Sequence, residues 1–249
     1  TEHHNNSGTG AQAPIGAFAL DVSPDATKLA VVGNFRKANG ADRVQAVLVN
    51  LGATATVADW ATDAFVPLCS YRSFDTYVRD VAFNPDGRFF VIVTTGGGYA
   101  GTYCDSATRW DAGATGTGLA PTWSDVTGGD TLLSVAASGT AVYVGGHQRW
   151  LNNPNGIDRA GSGAVARPGL AALDPDSGLP LSWNPGRNPR GMGASALTVT
   201  DGNVWVALDQ AVGRVSPSGS VTVLQAGDLG GTIGFLTGGI TSADGFIWV

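Results

Sequence analysis

One motif recurs along this chain and narrows the folds open to it. An apolar run leads into a turn of Asp, Asn, Ser, Pro or Gly, and a second apolar run follows. The copies are residues 17–33 (AFALDVSPDATKLAVVG), 81–93 (VAFNPDGRFFVIV), 133–145 (LSVAASGTAVYVG), 196–206 (ALTVTDGNVWV) and 240–249 (ITSADGFIWV). Their turns fall at Pro24-Asp25, Pro85-Asp86-Gly87, Ser138-Gly139, Asp201-Gly202 and Asp244-Gly245. Such residues tolerate turn dihedrals and hydrogen-bond their own backbone, so each copy reads as a β-hairpin. Val22, Phe83, Val135, Val199 and Ile240 mark equivalent points. They lie roughly 40–65 residues apart, the span of a four-stranded unit with decorated loops.

A weaker strand–turn–strand pattern fills the gaps, in residues 44–60 (VQAVLVNLGATATVADW), 169–183 (GLAALDPDSGLPLSW) and 211–225 (AVGRVSPSGSVTVLQ). The unit is strand–turn–strand–loop–strand–turn–strand, which is the blade of a β-propeller. No sustained 3.6-residue periodicity marks a helix. A β-sandwich would explain the short strands but not five matched hairpins at blade-like intervals. The expectation is an all-β chain: a β-propeller with at least five blades of four antiparallel strands, the last blade incomplete. Either residues 1–16, a polar segment, supply a ring-closing strand, or the propeller domain of residues 17–249 is part of a longer chain, the reading favoured here.

Composition limits the partners. Apolar residues make up 43% of the chain, enough for a sizeable core, and the 37 glycines suit many tight turns. Charged residues are only 14%, with a net charge of −6. No surplus of Lys and Arg exists to neutralise phosphates, which argues against nucleic acid and against a polybasic membrane patch. No run approaches the ~20 apolar residues of a transmembrane helix. The opening TEHHNNSGTGAQ has no signal-peptide pattern. Low Lys with abundant Gly, Ala, Thr and Ser resembles an exported protein of a high-GC bacterium, so the expected location is extracellular or on the cell surface. Cys69 and Cys104 are the two cysteines, each in polar, loop-like sequence. An exported chain would pair them, and the loop model gives such a disulfide about 3–4 kcal/mol. The alternative is two buried thiols. No CxxC and no Cys/His cluster indicates zinc.

The residues singled out for chemistry sit in loops between the strand patterns. His147-Gln148-Arg149-Trp150 follows the third hairpin and occurs once. His can bind metal or move protons, Arg can clamp an anion, and Trp can stack on a sugar or a cation. The bland alternative is a structural corner. Asn152 and Asn153 continue this loop, and Asn153, Asn155 and Asp158 offer oxygens of the kind calcium takes, without the EF-hand spacing. Arg109 and Trp110 follow Cys104 with Asp105 and Asp111, read as a loop in which Asp105 and Arg109 pair. Trp183, Arg187 and Arg190 make a Pro/Gly-rich cationic loop, a candidate for anionic sugars or polymers. No nucleophile elbow, P-loop or dinucleotide motif is present. Ca2+ is the one cofactor raised.

Several stretches resemble a known family: VVGNF (31–35), CDSATRW (104–110), PTWSDVTGGDTLLSV (121–135), YVGGHQRWLNNP (143–154) and RPGLAALDPDSGLPLSWNPGRNPRG (167–191). They look like large secreted or surface proteins of actinobacteria, with an N-terminal β-propeller and often downstream PKD-type or carbohydrate-binding-like modules. The resemblance runs from about Gly16 to Val206. It implies a propeller and an extracellular setting, and names no activity. After Trp205 similar proteins continue with a Gly-Ser-Asp-Thr-like segment, where this chain has Val206-Ala207-Leu208-Asp209-Gln210. The expected function is a binding or interaction domain, with a glycan or another surface protein at the propeller face. The alternatives are a polysaccharide lyase or hydrolase using His147, and a structural subunit of a homo- or hetero-assembly.

Overall fold

The computed structural model describes residues 14–70, 76–97, 101–186, 193–208, 211–225, 228 and 239–249. Its regular elements are all strands. The five sequence hairpins appear as five strand pairs. These are β1 (Gly16–Val22) with β2 (Lys28–Asn34), β7 (Val78–Phe83) with β8 (Phe89–Thr94), β11 (Leu132–Ala137) with β12 (Val142–Gly146), β16 (Ala196–Thr200) with β17 (Asn203–Leu208), and β20 (Thr241–Ala243) with β21 (Phe246–Trp248). Between them lie β3 (Lys37–Ala38), β4 (Ala41–Asp42), β5 (Ala46–Asn50) and β6 (Thr56–Val57), then β9 (Ser106–Asp111) and β10 (Trp123–Val126), then β13 (Trp150–Leu151), β14 (Val165–Ala166) and β15 (Leu170–Leu173), and finally β18 (Ala211–Val215) and β19 (Val221–Leu224).

The main sheets run in chain order as antiparallel meanders: β1-β2-β5-β6, β7-β8-β9-β10, β11-β12-β15, β16-β17-β18-β19 and β20-β21. The third adds only a single bridge, Leu173 to Pro180, where a fourth strand would lie. One expectation is corrected here. The segment after Cys104 is a central strand, β9, and not a loop, so Arg109 and Asp105 do not pair. Residues four apart along a strand are separated by about 13 Å. The second sheet takes this polar sequence into its interior because its neighbours satisfy it: Thr108 donates to the Ile92 carbonyl at 3.2 Å and accepts from Trp110 Nε1 at 2.9 Å.

First strands stand side by side in chain order: β1 beside β7, β7 beside β11, β11 beside β16, β16 beside β20. The core is accordingly divided into layers between successive sheets. Val32, Leu48 and Trp60 meet Val81, Phe90 and Trp110. Phe89, Val91 and Trp123 meet Val135, Val142 and Leu173. Ala136 and Leu170 meet Leu197 and Val204. Strands at the centre of such layers have both faces covered, which explains runs such as FFVIVT in β8 and LAAL in β15, buried throughout.

A tryptophan repeats at the outer edge. Trp60 packs on Trp110 and Phe90 of the second sheet, with ring centroids 5.4 and 5.5 Å away. Trp123 Nε1 donates to the Pro175 carbonyl of the third sheet at 2.9 Å. Trp183 Nε1 donates to the Ser216 carbonyl of the fourth at 3.1 Å. Gly178 makes the second of these contacts fit: at φ +74, a Cβ there would lie 2.6 Å from the Trp123 ring.

Candidate functional site

The two ends of the sheets differ. At one end the turns within the hairpins are short. At the other, the second and third strands of the first three sheets are joined by residues 35–45, 95–105 and 147–169, and these loops carry structure of their own. The first holds the β3–β4 hairpin, the third holds β13–β14, and the second is tied by the Cys69–Cys104 disulfide, both of whose cysteines are buried. Gly96 makes room for that bond: at φ +122, a Cβ there would meet Cys69 Sγ at 2.5 Å.

The 147–169 loop gathers most of the predicted residues. His147 is exposed and lies over Gly193, where a Cβ would meet its Nε2 at 2.8 Å. Arg149 is fixed. Its backbone N–H and Nε donate to Asp130 Oδ2, each at 2.9 Å, its Nη2 donates to Asp130 Oδ1 at 2.8 Å, and Nη2 also pairs with Asp158. The Asp130 carboxylate holds the Arg149 guanidinium still further above its ordinary pKa. Its guanidinium lies 4.4 Å over the Trp150 ring. Asn153 is fully buried. It donates to the Thr127 and Arg159 carbonyls and accepts from Gly161 N–H, closing the loop on itself. Asn152 N–H donates to Asp125 Oδ1 at 2.8 Å. Asn155 and Asp158 are exposed, and Asp158 is engaged by Arg149. The oxygens considered for calcium are thus occupied by protein donors at Asn153 and Asp158. Among the described residues no three His, Cys, Asp or Glu side chains gather as a metal cage.

The other predicted residues are elsewhere. Trp110 is fully buried between the first and second sheets. Arg109 lies 4.2 Å over Phe89, lining a cleft of about 470 Å³ with Ser23, Lys28 and Arg88, near the short-turn end. Trp183 packs edge-on to Tyr143 at 5.2 Å, between the third and fourth sheets. Arg187 and Arg190 fall outside the described residues.

Two features escaped the sequence. A cleft of about 540 Å³ runs between the disulfide loop and residues 152–157, flanked by Ser124 and Val126, with Ile157 80% exposed at its edge. A central cavity of about 520 Å³ is lined by the first strands, including Leu20, Asp21, Arg79, Asp80, Val135 and Thr198. Its carboxylates stitch sheet to sheet. Asp21 Oδ2 accepts Phe83 N–H at 2.6 Å and Asp80 Oδ2 accepts Val135 N–H at 2.9 Å. Burial raises both, Asp80 to about 7, although Asp80 keeps some access to the cavity. Local sequence could not have shown these bonds, since their partners lie in different repeats.

No family model matches the chain, and no curated protein matches its sequence. Solved structures do match. U3-55K is similar at 12% identity and a TM-score of 0.51, over 86% of this chain and 53% of its own. The WD40 repeats of RRP9 are similar at 13% and 0.54, over 90% and 55%. The putative oxidoreductase (glucose dehydrogenase) of Thermus thermophilus is similar at 18% and 0.53, over 96% and 78%. The fold is of the β-propeller kind. At these identities the likeness carries the fold alone, and the chain spans about half the length of the first two structures.

Proposed function

We propose that this chain is an extracellular interaction domain that binds a protein partner through the loop-bearing face of its second and third sheets. One observation carries the reading: long loops emerge on one face, that of the second sheet tied at Cys104 by a disulfide and that of the third by a three-point Asp130–Arg149 clamp and the buried Asn153, while Ile157 is left 80% exposed. Ordering a loop in advance removes entropy that binding would otherwise cost, and an exposed Ile beside a cleft is a natural contact for an apolar patch on another protein. A glycan is the less favoured ligand. Sugar stacking wants an open aromatic face, and Trp150 is already covered on one side by Arg149.

The disulfide supports an oxidising compartment, and with the low charge it supports the likeness to secreted actinobacterial propellers. The sheets are read as part of a closed ring of at least five blades. Phe18, Leu20 and Val22 on β1 and Phe246 and Trp248 on β21 are exposed, as faces covered by further sheets would be. To test the binding face, a photo-crosslinking residue is placed at position 157 and, separately, at position 140 in the short β11–β12 turn. Adducts with a defined protein from 157 and none from 140 are expected. Adducts from 140 alone, or capture by immobilised polysaccharide that ignores the loop, would overturn the reading.

A further inference from the structure

The seam between the second and third sheets contains buried polar atoms that the protein does not satisfy. Asp105 precedes β9 in a left-handed conformation, φ +51, and is wholly buried. Neither of its carboxylate oxygens has a donor in full hydrogen-bond geometry, the Gly97 N–H being the backbone group that faces it. Gln148 is wholly buried as well, and neither atom of its amide has a partner. Both belong to the same layer. Ala107, two residues beyond Asp105, packs between sheets two and three, as do Val144 and Leu151 on either side of Gln148. Backbone bonds tie the neighbourhood together: Asp105 N–H donates to the Thr95 carbonyl, Thr127 N–H donates to the Asp105 carbonyl, and His147 N–H donates to the Thr131 carbonyl.

The first sheet shows what this position does when it is satisfied. Gln45 precedes β5 as Asp105 precedes β9, also with positive φ and also wholly buried. Its amide donates to the Phe65 carbonyl at 2.9 Å and accepts from Thr76 Oγ1 at 2.5 Å and Tyr77 N–H at 3.0 Å. Thr76 stands two residues before β7, and Asp130 stands two residues before β11. The second seam thus replaces a neutral Gln–Thr pair with two carboxylates. Asp130 is neutralised by Arg149. Asp105 is repelled by Asp130 and is offset only by the Arg79 charge and the Gly97 N–H, which faces it without reaching full hydrogen-bond geometry. A buried carboxylate so sparsely satisfied is costly, and such a group in a native fold calls for an ion or a proton.

We propose that Asp105 and Gln148 hold a hard cation of the Ca2+ class in this seam. The carboxylate supplies charge and the amide oxygen supplies a neutral ligand; the Thr95 and Thr131 hydroxyls, 2.6 Å apart, belong to the two residues whose carbonyls accept from Asp105 N–H and His147 N–H. One free carboxylate with neutral oxygens corresponds to a weak site, with half-saturation on the order of 0.1–1 mM, like those of extracellular modules.

The test is thermal unfolding of the full chain, dialysed against EGTA and titrated with CaCl2 to 10 mM, with MgCl2 and KCl in parallel. A saturable rise in Tm with Ca2+ is expected. In Asp105→Asn the starting Tm should match or exceed that of the parent in EGTA, and the Ca2+ response should vanish. In Gln148→Met half-saturation should move up at least several-fold, while Asn155→Ala, which alters only an exposed loop side chain, should respond as the parent does. Calorimetric titration of the parent with CaCl2 decides the matter if a variant fails to fold. No heat and no Tm shift up to 10 mM, or an unchanged shift in Asp105→Asn, would mean that the seam is neutralised by a proton and that the proposal is wrong.

Discussion

Arg149 shows how one residue can be read correctly for its chemistry and wrongly for its object. The sequence offers a cation beside His and Trp, and the natural inference is an anion clamp. The clamp exists, but its anion is Asp130, nineteen residues earlier in the chain. Two donors from the side chain and one from its own backbone converge on one carboxylate that is largely shielded. Charged hydrogen bonds of this kind contribute about 1.5–3 kcal/mol, and removing one partner strands the other. Arg149→Ala is therefore expected to destabilise the fold by about 2–3 kcal/mol in urea unfolding. Arg149→Lys should recover only part, because a point charge lacks the two-pronged geometry. A loss under about 0.5 kcal/mol, the level of an ordinary surface substitution, would show the clamp to be ornamental. Trp110 teaches the same lesson from the other side. Its neighbours Asp105, Arg109 and Asp111 are charged, which gives it the look of a binding loop, while its own ring lies in an aromatic cluster of the core with Trp60 and Phe65. Burial of a single residue is decided by which face of a strand it occupies, and polar neighbours hide that alternation.

At the level of elements, the hairpins were legible because their turns announce themselves: Asp-Gly and Pro-Asp between apolar arms fix both the turn and the pairing. All five occur as strand pairs within a few residues of their expected bounds. The outer half of the second sheet was not legible. β9 reads SATRWD, in which Ala107 and Trp110 are the only apolar residues, and its polar members are satisfied only by neighbours such as Ile92 in β8. The links between sheets were equally hidden, since Trp123 and Trp183 reach carbonyls in the next repeat. Each such bond contributes about 1 kcal/mol, so Trp183→Phe, which keeps the ring against Tyr143 and loses the donor to Ser216, should lower stability by about that amount. Equal stability of the Phe variant would show that packing alone sets the position. The Cys69–Cys104 loop is longer-ranged, and reducing it should cost about 3–4 kcal/mol if the loop model holds. Calorimetry with and without reductant measures this directly.

Over the whole molecule, burial of acids gives stability an unusual pH dependence. Desolvation raises Asp80, Asp105 and Asp125 each from 3.8 to about 7. The folded state therefore holds protons between about pH 4 and 7 that the unfolded state has released, and stability falls as pH rises through that window, by at most about 1.4 kcal/mol per unit for each group. The exposed Asp25, Asp42 and Asp86 and the half-buried Asp174 are lowered instead, so what they contribute is lost only as pH falls below about 4. In EGTA, the urea midpoint should be higher at about pH 5.5 than at about pH 8, and the reverse order would mean that these carboxyls are ionised and solvated in the fold. The same architecture separates a short-turn end from an end of long, braced loops, and that division is the basis for assigning function. The measurement that bears on it most directly is the affinity for the partner crosslinked from position 157, compared among the parent, Ile157→Asp, His147→Ala and Thr140→Asp. A loss of roughly tenfold or more in Ile157→Asp, a smaller loss in His147→Ala and none in Thr140→Asp, all at unchanged Tm, is the expected result. Weakened binding in Thr140→Asp with the two loop variants unaffected would place the interaction on the opposite end and contradict the account.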